Sequence, residues 1–452
     1  MSIAFISALS DRFRSRSDFT KQVLTLATGT AAAQALTILA APLLTRLYRP
    51  EDYGVFALFG AVVGLSALLA SGKYDLAILI PKEDAAATAL VGACLLITTV
   101  VAAVLTVLLW FTCHPLAAWL GDPLLAPWLQ LVPLGVVLTN LGLVLAVWAS
   151  RQQAYGALSN SRMAGALAGT AANLALGFAG WGAAGLVCGF LVVQVATLAV
   201  LWPHSSGLLR GLKSETSLGA IRAEATRFAS FPKFSLWAEL LNSLSNQLVV
   251  LLLPKFFGMA VLGWYAMGQR VIGIPTTLVG GAVGEVFRSQ ASRDYAEKGN
   301  CREIFRKTFR HLVLLGVGPF LLLLVGAPDL FAWVFGESWR MAGRLTQVMS
   351  VMCLLRFIVS PLTYTFFIAG RQNEDLCMQI WLLCSSATAL FVGNLLTKDA
   401  TLTLLCFSLN YSMFYLLSLW RSYRHAAGNI CGVPVASDRQ SSNQPAPDDH
   451  CH

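Results

Sequence analysis

The chain has 452 residues, of which 56% are hydrophobic and 12% are charged. Soluble proteins carry about 25% charged residues, so this composition excludes a soluble globular protein and indicates an integral membrane protein. The formal net charge of +9 would suggest a nucleic-acid ligand in a soluble protein. In a membrane protein, basic residues first mark the cytoplasmic side, and we expect no nucleic-acid partner.

The chain begins with a polar, basic segment, residues 1–21, and continues into an apolar run, residues 22–44. This run is longer than the apolar core of about 7–15 residues in a secretory signal peptide, so we predict an uncleaved first span. A polar turn and a second apolar run, residues 53–72, follow. Each run has about the 20 apolar residues that a 30 Å hydrocarbon core requires, so the two form a membrane-spanning hairpin.

Apolar windows separated by loops predict an all-α membrane protein with twelve transmembrane helices. The predicted spans are 22–44, 53–72, 86–111, 126–149, 163–180, 183–202, 232–253, 260–287, 311–327, 345–369, 376–396 and 401–420. Only Gly180-Trp181-Gly182 separates the fifth span from the sixth, so one long tilted helix is the alternative to two spans there.

The first hairpin recurs at the middle of the chain with an offset of 209 positions. Arg46 then aligns with Lys255, and Gly-Val-Phe-Ala at 54–57 aligns with Gly-Trp-Tyr-Ala at 263–266. A parallel repeat of half the chain length is typical of transporters built from two bundles that move against each other around a central site. We therefore predict two parallel-repeat six-helix bundles around a central cleft.

The basic residues predict the orientation. Of the 32 Lys and Arg residues, 24 fall on the side of the N-terminus, six fall on the opposite side, and Arg270 and Arg356 lie inside spans. Because cytoplasmic loops are enriched in Lys and Arg, both termini are predicted to be cytoplasmic. The predicted domains are a basic N-terminus (1–21), a first six-helix bundle (22–203), a cytoplasmic linker (204–231), a second six-helix bundle (232–420) and a disordered cytoplasmic tail (421–452).

The ten cysteines show no CxxC pair and no metal-ligand spacing, and most lie within apolar runs. Small buried thiols are the ordinary interpretation of that pattern. We expect no structural disulfide, no metal and no cofactor.

Three short motifs surround the first hairpin: PLLTR at 42–46, RPEDYGVFA at 49–57 and GKYD at 72–75. With twelve spans and a parallel repeat, the chain resembles the Wzx-type bacterial polysaccharide-biosynthesis flippases of the multidrug/oligosaccharidyl-lipid/polysaccharide exporter superfamily. The resemblance implies alternating-access transfer of an undecaprenyl-pyrophosphate-linked oligosaccharide across the bacterial inner membrane, for lipopolysaccharide O-antigen, capsule or exopolysaccharide. Membrane lipids, a glycan polymerase and a chain-length regulator are the further partners it implies.

Three ionisable residues lie within predicted spans: Arg270, Arg356 and Glu239. Such residues cost at least about 2.5–3.5 kcal/mol to insert and are retained mainly where they face a cavity or a partner. Guanidinium groups bind phosphate through paired, charge-assisted hydrogen bonds, so both arginines are candidates for binding the pyrophosphate. Glu239 is a candidate for neutralising an arginine in the empty site or for taking up a coupled proton. Buried ion pairs, including Arg270 with Glu239, or helix packing are the alternative roles.

Polar residues also recur at helical spacing in two spans. The first stripe contains Ser235, Glu239, Asn242 and Asn246, and the second contains Thr30, Gln34 and Thr37. Each set shares one helix face that lipid could not solvate, so we predict that the two stripes face each other across the cleft. Asn242, Asn246 and Gln34 are then candidates for binding sugar hydroxyls, with helix-to-helix hydrogen bonding as the alternative.

Arg46 and Lys73 near span ends complete the candidate substrate-binding residues, although topology marking or snorkelling would also place them there. The positions 209 residues before Arg270 and Arg356 are Ala61 and Val147. Mid-membrane charge is thus concentrated in the second half, and we expect the second bundle to bind the pyrophosphate.

Other function classes fit the pattern less well. A cation-coupled multidrug exporter of the same superfamily would need acidic residues in its lumen, whereas the mid-span charges are two Arg and one Glu. A membrane enzyme, such as a glycan polymerase or ligase, would need a catalytic constellation that the short outward loops do not provide. A scaffold would not need polar stripes within its spans. We therefore predict a transporter rather than an enzyme.

Overall fold

The computed structural model describes residues 25–26, 28–214, 217–276 and 280–428, and this part of the chain contains helices and no β-strand. The predicted N-terminal segment 1–21 and the tail beyond residue 428 lie outside the described residues. The long helices are α1 (Thr28–Leu47), α2 (Pro50–Ser71), α3 (Asp84–Trp119), α4 (Val132–Arg151), α5 (Tyr155–Phe178), α6 (Ala183–Leu201), α7 (Leu236–Phe257), α8 (Met259–Pro275), α9 (Gly281–Lys298), α10 (Arg302–Phe335), α11 (Arg340–Leu362), α12 (Gln372–Thr397) and α13 (Ala400–Ala426).

Among the described residues, each of the twelve predicted spans overlaps a long helix, and the eighth overlaps both α8 and α9. Among the described residues, ten helices are long and apolar enough to cross a membrane. The helices α5, α8 and α9 fall outside this set, α8 because it has 17 residues. The protein is therefore an all-α, multi-pass membrane protein, as predicted.

Shorter helical segments connect the long helices. They are Tyr74–Ala77, Pro123–Leu125, Ala126–Gln130, Trp202–Ser205, Ser206–Ser214, Leu218–Arg227, Phe231–Ser235, Glu337–Trp339 and Thr365–Ile368. Two of these segments, Ser206–Ser214 and Leu218–Arg227, lie within the predicted linker 204–231. The Tyr74 hydroxyl donates a hydrogen bond of 3.0 Å to the carbonyl of Ala225, which holds the linker against the end of α2.

Several boundaries differ from the prediction for a physical reason. The helix α10 begins at Arg302 and α13 ends at Ala426, whereas the predicted spans begin at 311 and end at 420. Hydropathy detects only the apolar part of a helix, and these ends are basic turns that continue beyond it. The first residues of the predicted disordered tail, 421–426, are therefore helical.

The fifth and sixth spans are separate helices. Between α5 and α6, Gly180 and Gly182 have φ angles of 73° and 54°, which glycine adopts without the steric cost of a Cβ atom. The chain reverses there, so the alternative of one long tilted helix does not apply.

The two bundles contact each other through equivalent residues of the repeat. Gly54 of α2 lies against the carbonyl oxygen of Met259, and Gly263 of α8 lies against the carbonyl oxygen of Pro50. Met259 and Gly263 lie 209 positions after Pro50 and Gly54. The contact is reciprocal, because Gly54 packs on Met259 and Gly263 packs on Pro50, which is equivalent to Met259 in the repeat. This symmetry confirms the predicted repeat. A Cβ atom on either glycine would overlap the opposing carbonyl oxygen.

Further contacts close the bundles at the same end of the molecule. The indole of Trp339 is buried, and its Nε1 atom donates a hydrogen bond of 3.0 Å to the carbonyl of Thr45. The rings of Trp339 and Tyr53 pack edge to face, with 5.0 Å between their centroids. We call this region, formed by the α1–α2 turn, the α7–α8 turn and residues 336–339, the closed end.

Candidate functional site

A cavity of about 840 Å³ lies within the second bundle, between α7, α11, α12 and α13. We call it the central cavity, and all of its lining residues belong to the second bundle. Its polar lining residues are Asn242, Ser245, Asn246, Arg356, Ser360, Thr363, Asp375, Gln379, Tyr411, Tyr415 and Ser418. They recur at intervals of three and four along each helix, so each helix presents one polar face to the same space.

Arg356 is the basic residue of the central cavity. Its guanidinium is half-buried and lies near the phenols of Tyr265, Tyr411 and Tyr415. Within the described ranges it forms no salt bridge. Asp375 lines the same cavity beside Gln379, but its carboxylate forms no ion pair with Arg356. The guanidinium therefore keeps donors for an anionic ligand.

Asn242 and Asn246 lie together on the cavity face of α7. The Nδ2 atom of Asn246 donates a hydrogen bond of 2.9 Å to the carbonyl of Asn242, and both residues are exposed. An amide side chain offers two donors and one acceptor, so each retains capacity for hydroxyl groups. Ser235 and Glu239 of the same predicted stripe are not among the lining residues.

Arg270 lies at the interface between the bundles rather than in the central cavity. Its Nη2 atom donates a hydrogen bond of 3.4 Å to the carbonyl of Thr37 in α1, and its charge acts on Tyr53. Glu239 is half-buried, and among the described residues it forms no salt bridge with Arg270 or any other residue. The two candidate arginines do not share this cavity, and the alternative pairing of Arg270 with Glu239 is not present.

The polar stripe of α1 also lies away from the central cavity. The hydroxyls of Thr30 and Thr37 donate to the carbonyls of Leu26 and Ala33 one turn earlier, at 2.7 and 2.9 Å, and Gln34 is half-buried. None of the three lines the cavity. The two stripes therefore do not share the central cavity, and their face-to-face arrangement across the cleft stays a prediction.

Arg46 and Lys73 lie at opposite ends of the first hairpin. Arg46 is exposed near the end of α1, beside the closed end. Lys73 is half-buried, and its backbone is left-handed, with a φ angle of 59°. It follows Gly72, whose left-handed backbone ends α2, so Lys73 belongs to the helix end. Neither Arg46 nor Lys73 lines the central cavity.

A second cavity of about 290 Å³ adjoins the first and shares Ser360, Thr363 and Phe367 with it. At its other side lies Arg288, whose guanidinium sits 5.4 Å from the ring centroid of Tyr364 and forms a 3.1 Å salt bridge with Glu285. Polar space therefore runs from Arg356 toward Arg288, away from the closed end.

Sequence reasoning missed most of the residues around Arg356. Asp375 and Gln379 on α12, and Tyr411 and Tyr415 on α13, are each separated by four positions. That spacing is the signal that could have found them. Arg288 is one of the 24 basic residues that the sequence places on the side of the N-terminus, and no other role was predicted for it.

The sequence matches a protein family and relatives that are named for polysaccharide biosynthesis. The family described as polysaccharide biosynthesis protein matches residues 43–343. The teichuronic acid biosynthesis protein TuaB of Bacillus subtilis (strain 168) is 28% identical over 175 residues, which are 38% of this chain and 36% of TuaB. The succinoglycan biosynthesis transport protein ExoT of Rhizobium meliloti (strain 1021) is 24% identical over 335 residues, 74% of this chain and 65% of ExoT. The chain thus spans about a third of the length of TuaB and about two-thirds of the length of ExoT.

Solved structures share the fold at low sequence identity. The lipid II flippase MurJ in an inward closed conformation has a TM-score of 0.71 at 10% identity, covering 89% of this chain and 90% of the MurJ chain. An inward-facing multidrug resistance MATE family transporter of the MOP superfamily has a TM-score of 0.69 at 14% identity, covering 88% of this chain and 97% of the other. The chain therefore has the two-lobed fold of these transporters.

Proposed function

Because the chain belongs to the polysaccharide biosynthesis protein family, we propose that it moves an undecaprenyl-pyrophosphate-linked oligosaccharide across the bacterial inner membrane. The observation that carries the proposal is Arg356, a half-buried guanidinium without a salt bridge among the described residues, on a cavity of about 840 Å³. A pyrophosphate supplies the anionic oxygens that a guanidinium binds in pairs. The amides and hydroxyls of the cavity, including Asn242, Asn246 and Gln379, suit sugar hydroxyls.

Alternating access is the mechanism we propose. The bundles are in contact at the closed end, while the central cavity continues toward Arg288 at the opposite end. The headgroup enters from the Arg288 end, which we place at the cytoplasmic face, and binds near Arg356. Separation of the bundles at Gly54 and Gly263, with closure of the opposite end, then presents the site to the outer leaflet. Both termini lie in the cytoplasm in this proposal.

A transport role is supported over catalysis by the fold shared with two transporters and by the name of ExoT, a transport protein. A glycan polymerase and a chain-length regulator act on the delivered oligosaccharide as proposed partners. Arg270 holds the bundles in register through Thr37, and Gln34, Arg46, Lys73 and Glu239 act outside the central cavity, along the path of the sugar chain.

Deleting the gene in its source bacterium tests the proposal. We expect loss of one surface polysaccharide and accumulation of its lipid-linked oligosaccharide. Re-expression of the chain should reverse both effects. Mass spectrometry of extracted lipids and immunoblotting of surface glycan measure the two effects. Unchanged glycan together with increased sensitivity to cationic drugs would contradict the proposal and favour a multidrug exporter.

A further inference from the structure

A groove of about 620 Å³ lies on the outer surface of the second bundle, between the first turns of α10 and the last turns of α13. It is lined by Arg306, Phe309 and Arg310 of α10 and by Leu416, Trp420 and Tyr423 of α13. We call it the interfacial groove. It shares no lining residue with the central cavity, so the transport site does not account for it.

The interfacial groove lies where the membrane surface meets the hydrocarbon. The amide of Cys301 donates a hydrogen bond of 2.8 Å to the carbonyl of Ala426, which fixes the start of α10 beside the end of α13 at one membrane face. With 34 residues, α10 is about 51 Å long at 1.5 Å per residue and exceeds a hydrocarbon core of about 30 Å. Its basic first turns therefore extend into the headgroup region.

The two ends of the groove differ in chemistry. Arg306 and Arg310 are exposed on the first turns of α10, and they line the groove opposite Trp420 and Leu416 of α13, which are 49% and 54% exposed. Further along α10, exposed Leu314 and Val317 continue the groove as an apolar surface. The groove thus runs from a cationic end to an apolar surface, in the order in which a phospholipid presents its phosphate and its acyl chains.

The cationic end carries charge without acidic partners. The guanidiniums of Arg302 and Arg306 both donate to the Tyr423 hydroxyl, at 2.6 and 2.8 Å, and this fixes their position. Neither Arg306 nor Arg310 forms a salt bridge in the part of the chain that the structure describes. Glu303 is the acidic residue nearby, in a depression that it shares with Arg302, Arg306, Lys307 and Arg310, so positive charge is in excess.

We propose that the interfacial groove binds an anionic glycerophospholipid of the surrounding bilayer. The phosphate accepts hydrogen bonds from Arg306 and Arg310, and one acyl chain packs along Phe309 and Leu416. Charge-assisted bonds favour an anionic headgroup over a zwitterionic one, since the ammonium group of the latter would lie among the arginines. The apolar half of the groove requires an attached acyl chain, so a soluble phosphate would satisfy only part of the site.

Native mass spectrometry of the delipidated full-length protein, titrated with phosphatidylglycerol or phosphatidylcholine of the same acyl chains, tests this inference. We expect wild type to bind phosphatidylglycerol about tenfold more tightly than phosphatidylcholine, and Arg306→Gln/Arg310→Gln to lose that preference. Arg222→Gln/Arg293→Gln removes the same charge at exposed positions outside the groove and should retain the preference. Leu416→Trp keeps the charge but fills the apolar half and should weaken both lipids.

A photoactivatable phosphatidylglycerol gives a test on the wild-type protein that does not depend on variant folding. Labelling should map to peptides containing residues 305–310 and 416–423. Labelling distributed evenly over the helices would overturn the proposal, as would equal phosphatidylglycerol binding by the groove and control variants. Competition by glycerol phosphate as effective as that by intact lipid would overturn it too, since that result would indicate a simple phosphate site. If equimolar undecaprenyl phosphate displaces all bound phospholipid, and the protein shows no preference between phosphatidylglycerol and phosphatidylcholine, the proposal fails. The groove would then belong to the transport substrate.

Discussion

Replacing Gly263 with alanine is expected to reduce polysaccharide export at least about fivefold while protein abundance in the membrane stays near wild type. A Cβ atom at this position would overlap the carbonyl oxygen of Pro50, a backbone atom that has no rotamer to move away. Overpacking of this kind costs about 1–3 kcal/mol, which corresponds to a change of about 5- to 150-fold in the population of the closed-end conformation. Gly54→Ala should behave alike, because its Cβ atom would overlap the carbonyl oxygen of Met259.

Gly60→Ala is the matched control, since Gly60 lies in the same helix as Gly54 and has no atom within 4 Å of the position of a Cβ atom. It makes the same change in helix propensity without the overlap. Surface polysaccharide at matched membrane levels is the measurement. If Gly54→Ala and Gly263→Ala export as well as Gly60→Ala, the reciprocal glycine contact has no part in the transport cycle.

The second large effect is expected at Arg356. Arg356→Ala should lower export at least about thirtyfold, because it would remove the charge pair that we propose between Arg356 and the bound pyrophosphate, and losing one partner of such a pair costs about 2–5 kcal/mol. Arg356→Lys should retain an intermediate level, since lysine keeps the charge but lacks the planar fork that binds two phosphate oxygens. Surface polysaccharide and accumulated lipid-linked oligosaccharide, both at equal protein abundance, measure the effect.

Arg344→Ala provides the control for Arg356. It makes the same substitution in α11, at an exposed residue that does not line the central cavity, and should export at the wild-type level. Arg356→Ala with full export would show that this guanidinium does not bind the substrate. Equal export by the alanine and lysine variants, both reduced, would indicate a need for the guanidinium shape rather than for its charge.

The fold could be predicted from sequence because the membrane imposes a simple length rule. Runs of about 20 apolar residues mark the spans, and the alignment of Gly54 with Gly263 identified a repeat that the structure confirms as a reciprocal contact. Where the prediction was inaccurate, as at Arg302 and Ala426, the helices continue as polar turns that hydropathy does not detect.

The candidate site was less predictable, because depth in the membrane does not determine the direction in which a side chain points. Arg270 and Arg356 were both predicted near mid-membrane, yet Arg356 lines the central cavity while Arg270 bonds to the carbonyl of Thr37, which is 233 positions away in sequence. The tyrosines near Arg356 come from α8 and α13, and only tertiary packing brings Tyr265 and Tyr415 to the same guanidinium.

The central claim is that this chain transfers a pyrophosphate-linked oligosaccharide between leaflets, and reconstitution tests it most directly. Purified wild-type protein is placed in liposomes that carry a fluorescent undecaprenyl-pyrophosphate-linked oligosaccharide, and a membrane-impermeant reductant quenches the label in the outer leaflet. We predict that wild type brings the protected inner-leaflet label to the outer leaflet faster than liposomes without protein or with Arg356→Ala. If the inner-leaflet label becomes accessible to the reductant equally slowly in wild-type and protein-free liposomes, the account is contradicted.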